Sequence, residues 1–172
     1  LKVALIHDRS ILGGNGSSEV QVWAMGETKR GKFPHLGEII GEFTDYSRDS
    51  PGLIEEFQDD LKTQVVRAEK NIDLYLEHFA FKTNTKGDKI VSVDVVDTTS
   101  GEFVRIAGNL FADTTGHGTI GAQAGAKFMM AEKGHMGMSN MWSYNNSDKP
   151  VAWPETPWAL PLEEEHFPKL HL

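Results

Sequence analysis

A glycine-rich turn in the second half of the chain carries backbone groups that could bind a phosphate. Residues 109–127 begin with a short apolar run at 110–112, break at the turn 114–118 (TTGHG) and resume with small residues. The run has the length of a buried strand, and the small residues suit a helix packed closely on a sheet. A strand that ends in such a turn and leads into a helix directs backbone N–H groups at an anion. The same pattern is equally typical of a close-packed strand–helix junction that binds nothing.

A second turn of this kind follows an apolar strand at 3–7. His7 and Asp8 stand at the end of the strand, and Gly13 and Gly14 follow in the turn. We expect both glycines to adopt backbone conformations that a Cβ atom would penalise. Short polar side chains that could lie beside a diphosphate come next: Asn15, Ser17 and Ser18. The presence of two such units favours a nucleotide-binding fold over an isolated junction.

Together, the segments DRSILGGNGSSE (8–19) and DTTGHGTIGAQAGA (113–126) resemble FAD-dependent oxidoreductases of the glutathione reductase class. The chain is most similar to a large bacterial branch of unassigned substrate. In that branch a second Rossmann strand runs into a DRP-x-LGGN-x-SSE-type segment, and a later strand runs into an (A/C)TG-(D/H)-G turn. The resemblance covers nearly the whole chain. It implies a partial doubly wound parallel α/β sheet of FAD-binding type, in an enzyme that transfers electrons or hydride between a small organic substrate and FAD.

The resemblance also implies particular roles near the cofactor. An acidic residue at the end of the second strand usually bonds the adenosine ribose in this class. That position falls on His7, with Asp8 one residue later, and a solvated strand end is the alternative interpretation. A backbone amide near the start of an inserted β-meander meets adenine, which by position is Ala80. His117 is expected to stay neutral at a helix N-terminus and to bond the cofactor, or else to be an exposed turn residue.

No catalytic acid, base or metal ligand can be named from the sequence. The histidines lack the spacing that places two ligands on one helical face, and no G-x-S-x-G motif occurs. The full set of cofactor contacts implied by the resemblance is His7, Asp8, Arg9, Gly13, Gly14, Asn15, Ser17, Ser18, Ala80, Thr115, Gly116, His117 and Gly118.

The elements that must position these residues follow from periodicity. Parallel strands are predicted at 3–7, 71–76 and 109–113, with a short helix near 36–43. A helix is predicted over 50–70, with Ser50 as N-cap and an apolar stripe that includes Leu61. Alternating apolar residues with hairpin signals predict a three-stranded antiparallel meander over about 78–107, lying against the parallel sheet and not within it.

The domain interpretation places an incomplete FAD-binding domain at 1–128 and the start of a substrate-facing lobe, or an irregular tail, at 129–172. The resemblance puts a strand and a G-x-G-x-x-G turn before residue 1, and the sequence contains neither. We therefore expect the 172-residue chain alone to bind FAD weakly or not at all. Strands 3–7 and 109–113 would flank the missing strand, and their unpaired edges would favour self-association.

Composition excludes several other classes of function. Lys and Arg number 17 against 25 Asp and Glu, and the resulting charge of −8 disfavours binding to nucleic acid. The absence of cysteine excludes disulfides and a dithiol reductase. No apolar run is long enough for a membrane span, and the compartment stays open between cytoplasm and periplasm. A non-catalytic α/β binding or interaction domain on the same scaffold is the competing interpretation.

Overall fold

The computed structural model describes residues 1–22, 31–35, 38, 52–134, 146–152 and 155–159. Contacts divide the chain into two compact units, Leu1–Gly137 and Met138–Leu172. The described parts of the second unit contain turns and bends but no helix or strand. All helices and strands described below belong to the first unit.

Two short strands form a parallel sheet. Strand β1 (Val3–Ile6) pairs with β2 (Ile72–Tyr75) in a register that joins Val3 to Ile72. One further bond extends the ladder past β1, because the N–H of His7 donates to the Tyr75 carbonyl at 2.9 Å. The predictions of parallel strands at 3–7 and 71–76 are confirmed, with each strand slightly shorter than expected.

The predicted helix over 50–70 is wrong in its first half. Residues Ile54–Phe57 form a 3₁₀ turn, and the α-helix α1 covers only Asp59–Ala68. Gln58 separates the two with left-handed backbone angles of φ 48° and ψ 51°. Buried Phe57, Lys62 and Val66 line the inner side of this region, whereas Leu61 from the predicted stripe is 36% exposed. Ser50, the predicted N-cap, and most of the predicted helix at 36–43 lie outside the described residues.

The predicted meander is confirmed. Strands β3 (His78–Lys86), β4 (Lys89–Asp97) and β5 (Phe103–Ala107) form an antiparallel sheet in that order, separate from the parallel pair. β3 has a bulge, because Ala80 and Lys82 face successive residues of β4 and leave Phe81 without a counterpart. The β4–β5 connection is closed by the Asp97 carboxylate, which accepts the N–H of Thr99 at 2.8 Å.

The predicted parallel strand at 109–113 is wrong. In the described part of the chain these residues form no strand, although Phe111 packs against the core. An apolar run becomes a strand only when a neighbour completes its backbone hydrogen bonds, and no described segment pairs with it. The following helix, α2, is short and covers Thr119–Gln123. Gly125 at φ 85° lies just beyond its end.

The described residues therefore form a mixed α/β structure with one parallel and one antiparallel sheet. Buried Val93 and Val95 of β4 pack with Ile120 of α2, and Ile6 and Ala80 contact the same cluster. This core holds the end of β1, the start of β3 and the helix after the glycine-rich turn in fixed positions. These are the elements that carry many of the predicted contact residues.

Candidate functional site

The end of β1 lies beside the start of β3. The backbone carbonyl of His7 accepts the N–H of His78 at 2.9 Å, and the His7 Nε2 atom lies 2.8 Å from the Ile11 carbonyl. Because a carbonyl can only accept, Nε2 must carry the hydrogen in this contact. In the neutral ring Nδ1 is then left as an acceptor. His7 thus ties the strand to the loop that follows it, and its Nδ1 atom has no partner among the described residues.

Asp8 and Arg9 have different surroundings. Asp8 is exposed, and its carboxylate has no hydrogen bond or ion pair within the described ranges. The Arg9 Nε atom lies 3.3 Å from a carboxylate oxygen of Glu19, and its carbonyl accepts the N–H of Glu77 at 3.0 Å. Asp8 is therefore an exposed carboxylate without a described partner at this strand end, while Arg9 braces the loop 9–19.

Gly13 and Gly14 both have positive φ, 122° and 54°, as the sequence predicts. A Cβ atom on Gly13 would lie 2.7 Å from the carbonyl oxygen of Gly16, so a side chain is excluded there by the turn itself. A Cβ atom on Gly14 would meet nothing within 4 Å. Gly14 therefore faces open space, where its backbone is accessible to a ligand.

The polar residues of this turn divide into internal and external groups. Ser17 is fully buried, and its hydroxyl donates to the Gly14 carbonyl at 2.7 Å. The backbone N–H of Ser18 donates to the Asp59 carboxylate at 3.2 Å, which joins the turn to the start of α1. Asn15 is exposed, and its side-chain amide has no partner among the described residues. Ser17 thus shapes the turn from inside, and Asn15 presents the open polar group.

Asp113 organises the second turn. One carboxylate oxygen accepts the hydroxyl of Thr115 at 2.7 Å and the N–H of the same residue at 3.1 Å. The other oxygen accepts the N–H of Gly121 at 2.8 Å. The Gly121 N–H, with help from Thr115, lowers the pKa of the Asp113 carboxyl below its ordinary value. Sequence reasoning missed this residue, although an Asp side chain that accepts the backbone N–H two residues on is a known turn-forming contact.

The backbone N–H groups at the tip of this turn are open. Gly116 and Gly118 have φ of 78° and 65°, and a Cβ atom on either would meet nothing within 4 Å. In the part of the chain that the structure describes, the N–H groups of Gly116, His117 and Gly118 have no acceptor. His117 is exposed, and its ring has no partner there either. The turn therefore offers successive main-chain donors held by the Asp113 carboxylate.

The predicted contacts gather around the core in part. Ala80 packs on the same cluster as Ile120, and it lies next to the bulge at Phe81. No described hydrogen bond or ion pair joins the 13–18 turn to the 115–118 turn. The structure thus places Ala80 on the same cluster as the helix that follows the second turn, while the first turn is bonded to the start of α1.

The chemistry of these groups is suited to a dinucleotide. Main-chain N–H groups and short polar side chains suit phosphate oxygens and sugar hydroxyls. Within the described ranges, no group of three or more His, Asp or Glu side chains could hold a metal ion. The Asp113 carboxylate is already engaged by the turn itself. The donor set is therefore that of an anion-binding surface.

The sequence profile of a family described as FAD dependent oxidoreductase matches residues 1–171. The chain belongs to this family. FAD is the cofactor of the family, and the chain accordingly has a flavin-linked redox role. A search of curated proteins finds no match.

For an FAD-dependent oxidoreductase, the residues present fit the cofactor. The turn at 115–118 and the surface of Gly14 present donors suited to the diphosphate and ribityl groups, and Asp8 presents an acceptor suited to a ribose hydroxyl. The helices of this oxidoreductase that the structure describes are all too short or too polar to cross a bilayer. The individual contact residues remain predictions.

Proposed function

We propose that this chain holds the adenosine and diphosphate portions of FAD in an enzyme that moves electrons or hydride between a small organic substrate and the flavin. The observation that carries the proposal is the 115–118 turn, with its outward N–H groups and its shape fixed by Asp113. When bound, the isoalloxazine would supply the redox chemistry. The protein groups described here would bind and orient the cofactor.

Each predicted contact has a role in this proposal. His7 Nδ1 and the Asp8 carboxylate would bond the adenosine ribose. The backbone of Ala80 would meet adenine. The two turns would take the diphosphate and the flavin edge, with the remaining contacts coming from the following residues: Arg9, Gly13, Gly14, Asn15, Ser17, Ser18, Thr115, Gly116, His117 and Gly118. The Ser17 hydroxyl is internal, so its contribution would be to hold the Gly14 backbone in place.

We further propose that the parallel pair β1–β2 is part of a doubly wound sheet of the glutathione reductase type, in a bacterial enzyme. Parallel pairing of two short strands with a separate antiparallel meander supports this arrangement. Residues 1–128 would form the FAD-binding part, and 129–172 would begin the substrate-facing lobe. The edge of β1 to which no described strand is paired would take a strand from another part of the protein or from another copy of the chain.

The substitution Gly14→Val tests the cofactor site. A valine there should block close approach of FAD to the backbone, and losing a hydrogen bond to a charged phosphate would raise Kd about ten- to hundredfold. Gly87→Val is the matched control, since Gly87 also has a positive φ, 64°, and open space around it, but lies in the β3–β4 hairpin. Both variants carry similar backbone strain.

The measurement is a titration of the natural flavoprotein with FAD, followed by flavin fluorescence. We expect Gly14→Val to weaken binding and Gly87→Val to leave it unchanged. Equal affinities for FAD in both variants would mean that the 13–18 turn does not bind the cofactor. A natural protein that binds no flavin at all would favour the competing function, a non-catalytic binding domain.

A further inference from the structure

A glutamine side chain lies along the open edge of β3. The Gln123 Nε2 amide donates to the Phe81 carbonyl at 3.0 Å, and its Oε1 atom accepts the N–H of Thr83 at 2.8 Å. The Thr83 hydroxyl donates to the Ile120 carbonyl at 3.4 Å. A side-chain amide thus takes the place of a peptide group from a neighbouring strand. It satisfies backbone groups on an edge that would otherwise face solvent.

The chemistry of the two partners fixes the orientation of this amide. Phe81 offers a carbonyl and Thr83 an N–H, so only one orientation of the Gln123 amide satisfies both. Phe81 is the extra residue of the bulge in β3. Since a bulge disrupts the regular ladder, the strand is locally less constrained there, and Gln123 holds it from the open side.

Gln123 connects two regions that are proposed to touch the cofactor. It is the last residue of α2, the helix that follows the 115–118 turn. Its partner Phe81 is the direct neighbour of Ala80, the proposed adenine contact. Ala80 and Ile120 also pack on one apolar cluster, which holds β3 and α2 together. The amide is therefore the polar link between the adenine side and the diphosphate side.

We propose that Gln123 is a positioning residue that sets the separation between the Ala80 backbone and the 115–118 turn. This inference rests on the proposed function. FAD reaches both regions at once, so its affinity depends on their separation. AMP lacks the second phosphate and the flavin, so it spans less of this distance and its affinity depends less on the separation.

The experiment compares Gln123→Ala with Gln64→Ala in the natural flavoprotein. Gln64 lies on the exposed side of α1 and has no described side-chain partner, so its substitution controls for removal of a glutamine from a helix. FAD binding is measured by flavin fluorescence, and AMP binding by competition. Exchange of the Thr83 amide hydrogen is measured in the flavin-free protein. Gln123→Glu is a second variant, because it keeps the acceptor for Thr83 and sets a carboxylate oxygen in place of the donor to the Phe81 carbonyl.

We expect Gln123→Ala to raise the Kd of FAD about tenfold, as the loss of two modest hydrogen bonds implies. AMP affinity should fall less than FAD affinity, and the Thr83 amide should exchange faster. Gln123→Glu should weaken FAD binding while keeping the Thr83 amide protected. Gln64→Ala should change none of these quantities.

Three results would overturn the inference. An equal loss of FAD and AMP affinity would indicate general destabilisation. Unchanged FAD affinity with faster Thr83 exchange would show that the link exists but does not position the cofactor. Wild-type protein that binds neither FAD nor AMP would reject the proposed function itself. This failure differs from the other two because it is seen in the unsubstituted protein.

Discussion

At the scale of single residues, the Asp113 carboxylate holds the shape of the glycine-rich turn through hydrogen bonds on both of its oxygens. Its two carboxylate oxygens hold Thr115 on one side and Gly121 on the other. An amide at this position would place an NH₂ group against the Gly121 N–H or against Thr115. One of the two contacts would then join donor to donor, and the turn would lose its fixed shape.

We therefore expect Asp113→Asn to lower the free energy of unfolding by about 0.5–1 kcal/mol, a value at the low end because the carboxylate is exposed to solvent. Urea denaturation monitored by circular dichroism measures the change. Asp88→Asn is the control, since Asp88 is an exposed hairpin residue with no described partner. An equal change in both variants would mean that the Asp113 contacts add nothing to stability.

The same carboxylate predicts a pH dependence. The pKa of Asp113 is lowered in the folded protein, first by the Gly121 N–H, so the folded state binds its proton less tightly than the unfolded state. Its stabilising effect is present above the ordinary aspartate pKa of about 4 and is lost as the pH falls through the lower folded value. The difference in the free energy of unfolding between wild type and Asp113→Asn should have its full size near neutral pH. It should become smaller below about pH 4. A difference that grows on acidification would contradict this assignment.

Ser17 shows the limit of what residue types alone predict about the 13–18 turn. The sequence identifies it as a small polar group in a glycine-rich turn. Its complete burial and its bond to the Gly14 carbonyl depend on the way the turn folds back on itself. Sequence patterns can thus locate the turn, but they do not decide which hydroxyl faces inward.

At the scale of elements, the start of α1 is set by Gln58. A non-glycine residue in the left-handed region costs about 1–2 kcal/mol. Glycine removes that cost but loses about 0.5–1 kcal/mol through the freedom of the unfolded chain. We expect Gln58→Gly to stabilise the protein by about 0.5 kcal/mol, the difference between these two effects.

Gln64→Gly provides the matched comparison. Gln64 lies inside α1, where glycine costs about 1 kcal/mol relative to a good helix former. The same chemical change should therefore raise the urea midpoint at position 58 and lower it at position 64. A lower midpoint for Gln58→Gly would show that its side chain makes a contribution larger than the backbone strain.

Sequence patterns predict the buried strands β1 and β2 although they are far apart in the chain, but they predict pairing best where the partners are close. The meander is an example, because alternation in β4 and short turns on either side determine both the strands and their neighbours. No glycine or proline stands at Gln58, so the sequence does not predict the break between the 3₁₀ turn and α1. The run at 110–112 is apolar enough for a strand, but its pairing depends on a segment distant in sequence. Local patterns therefore predict the meander and fail at these two places.

At the scale of the whole molecule, the parallel sheet that the structure describes has two strands, and no further described strand pairs with the other edge of β1. An unpaired strand edge can pair with the same edge of another chain. We therefore expect the 172-residue chain to self-associate as its concentration rises. Size-exclusion chromatography over a range of concentrations measures the change. An elution volume that does not depend on concentration would contradict the prediction.

The open N–H groups at 116–118 have a consequence for the evolution of this protein. Every amino acid except proline carries a backbone N–H, so a surface built from these groups places little restriction on side chains. Only the positive φ at 116 and 118 strongly favours glycine. Such a surface can keep its ligand while the residues around it are replaced over many generations. Lineages that share this turn are therefore free to diverge in the sequence that surrounds it, and in the reactions they catalyse, without changing the cofactor.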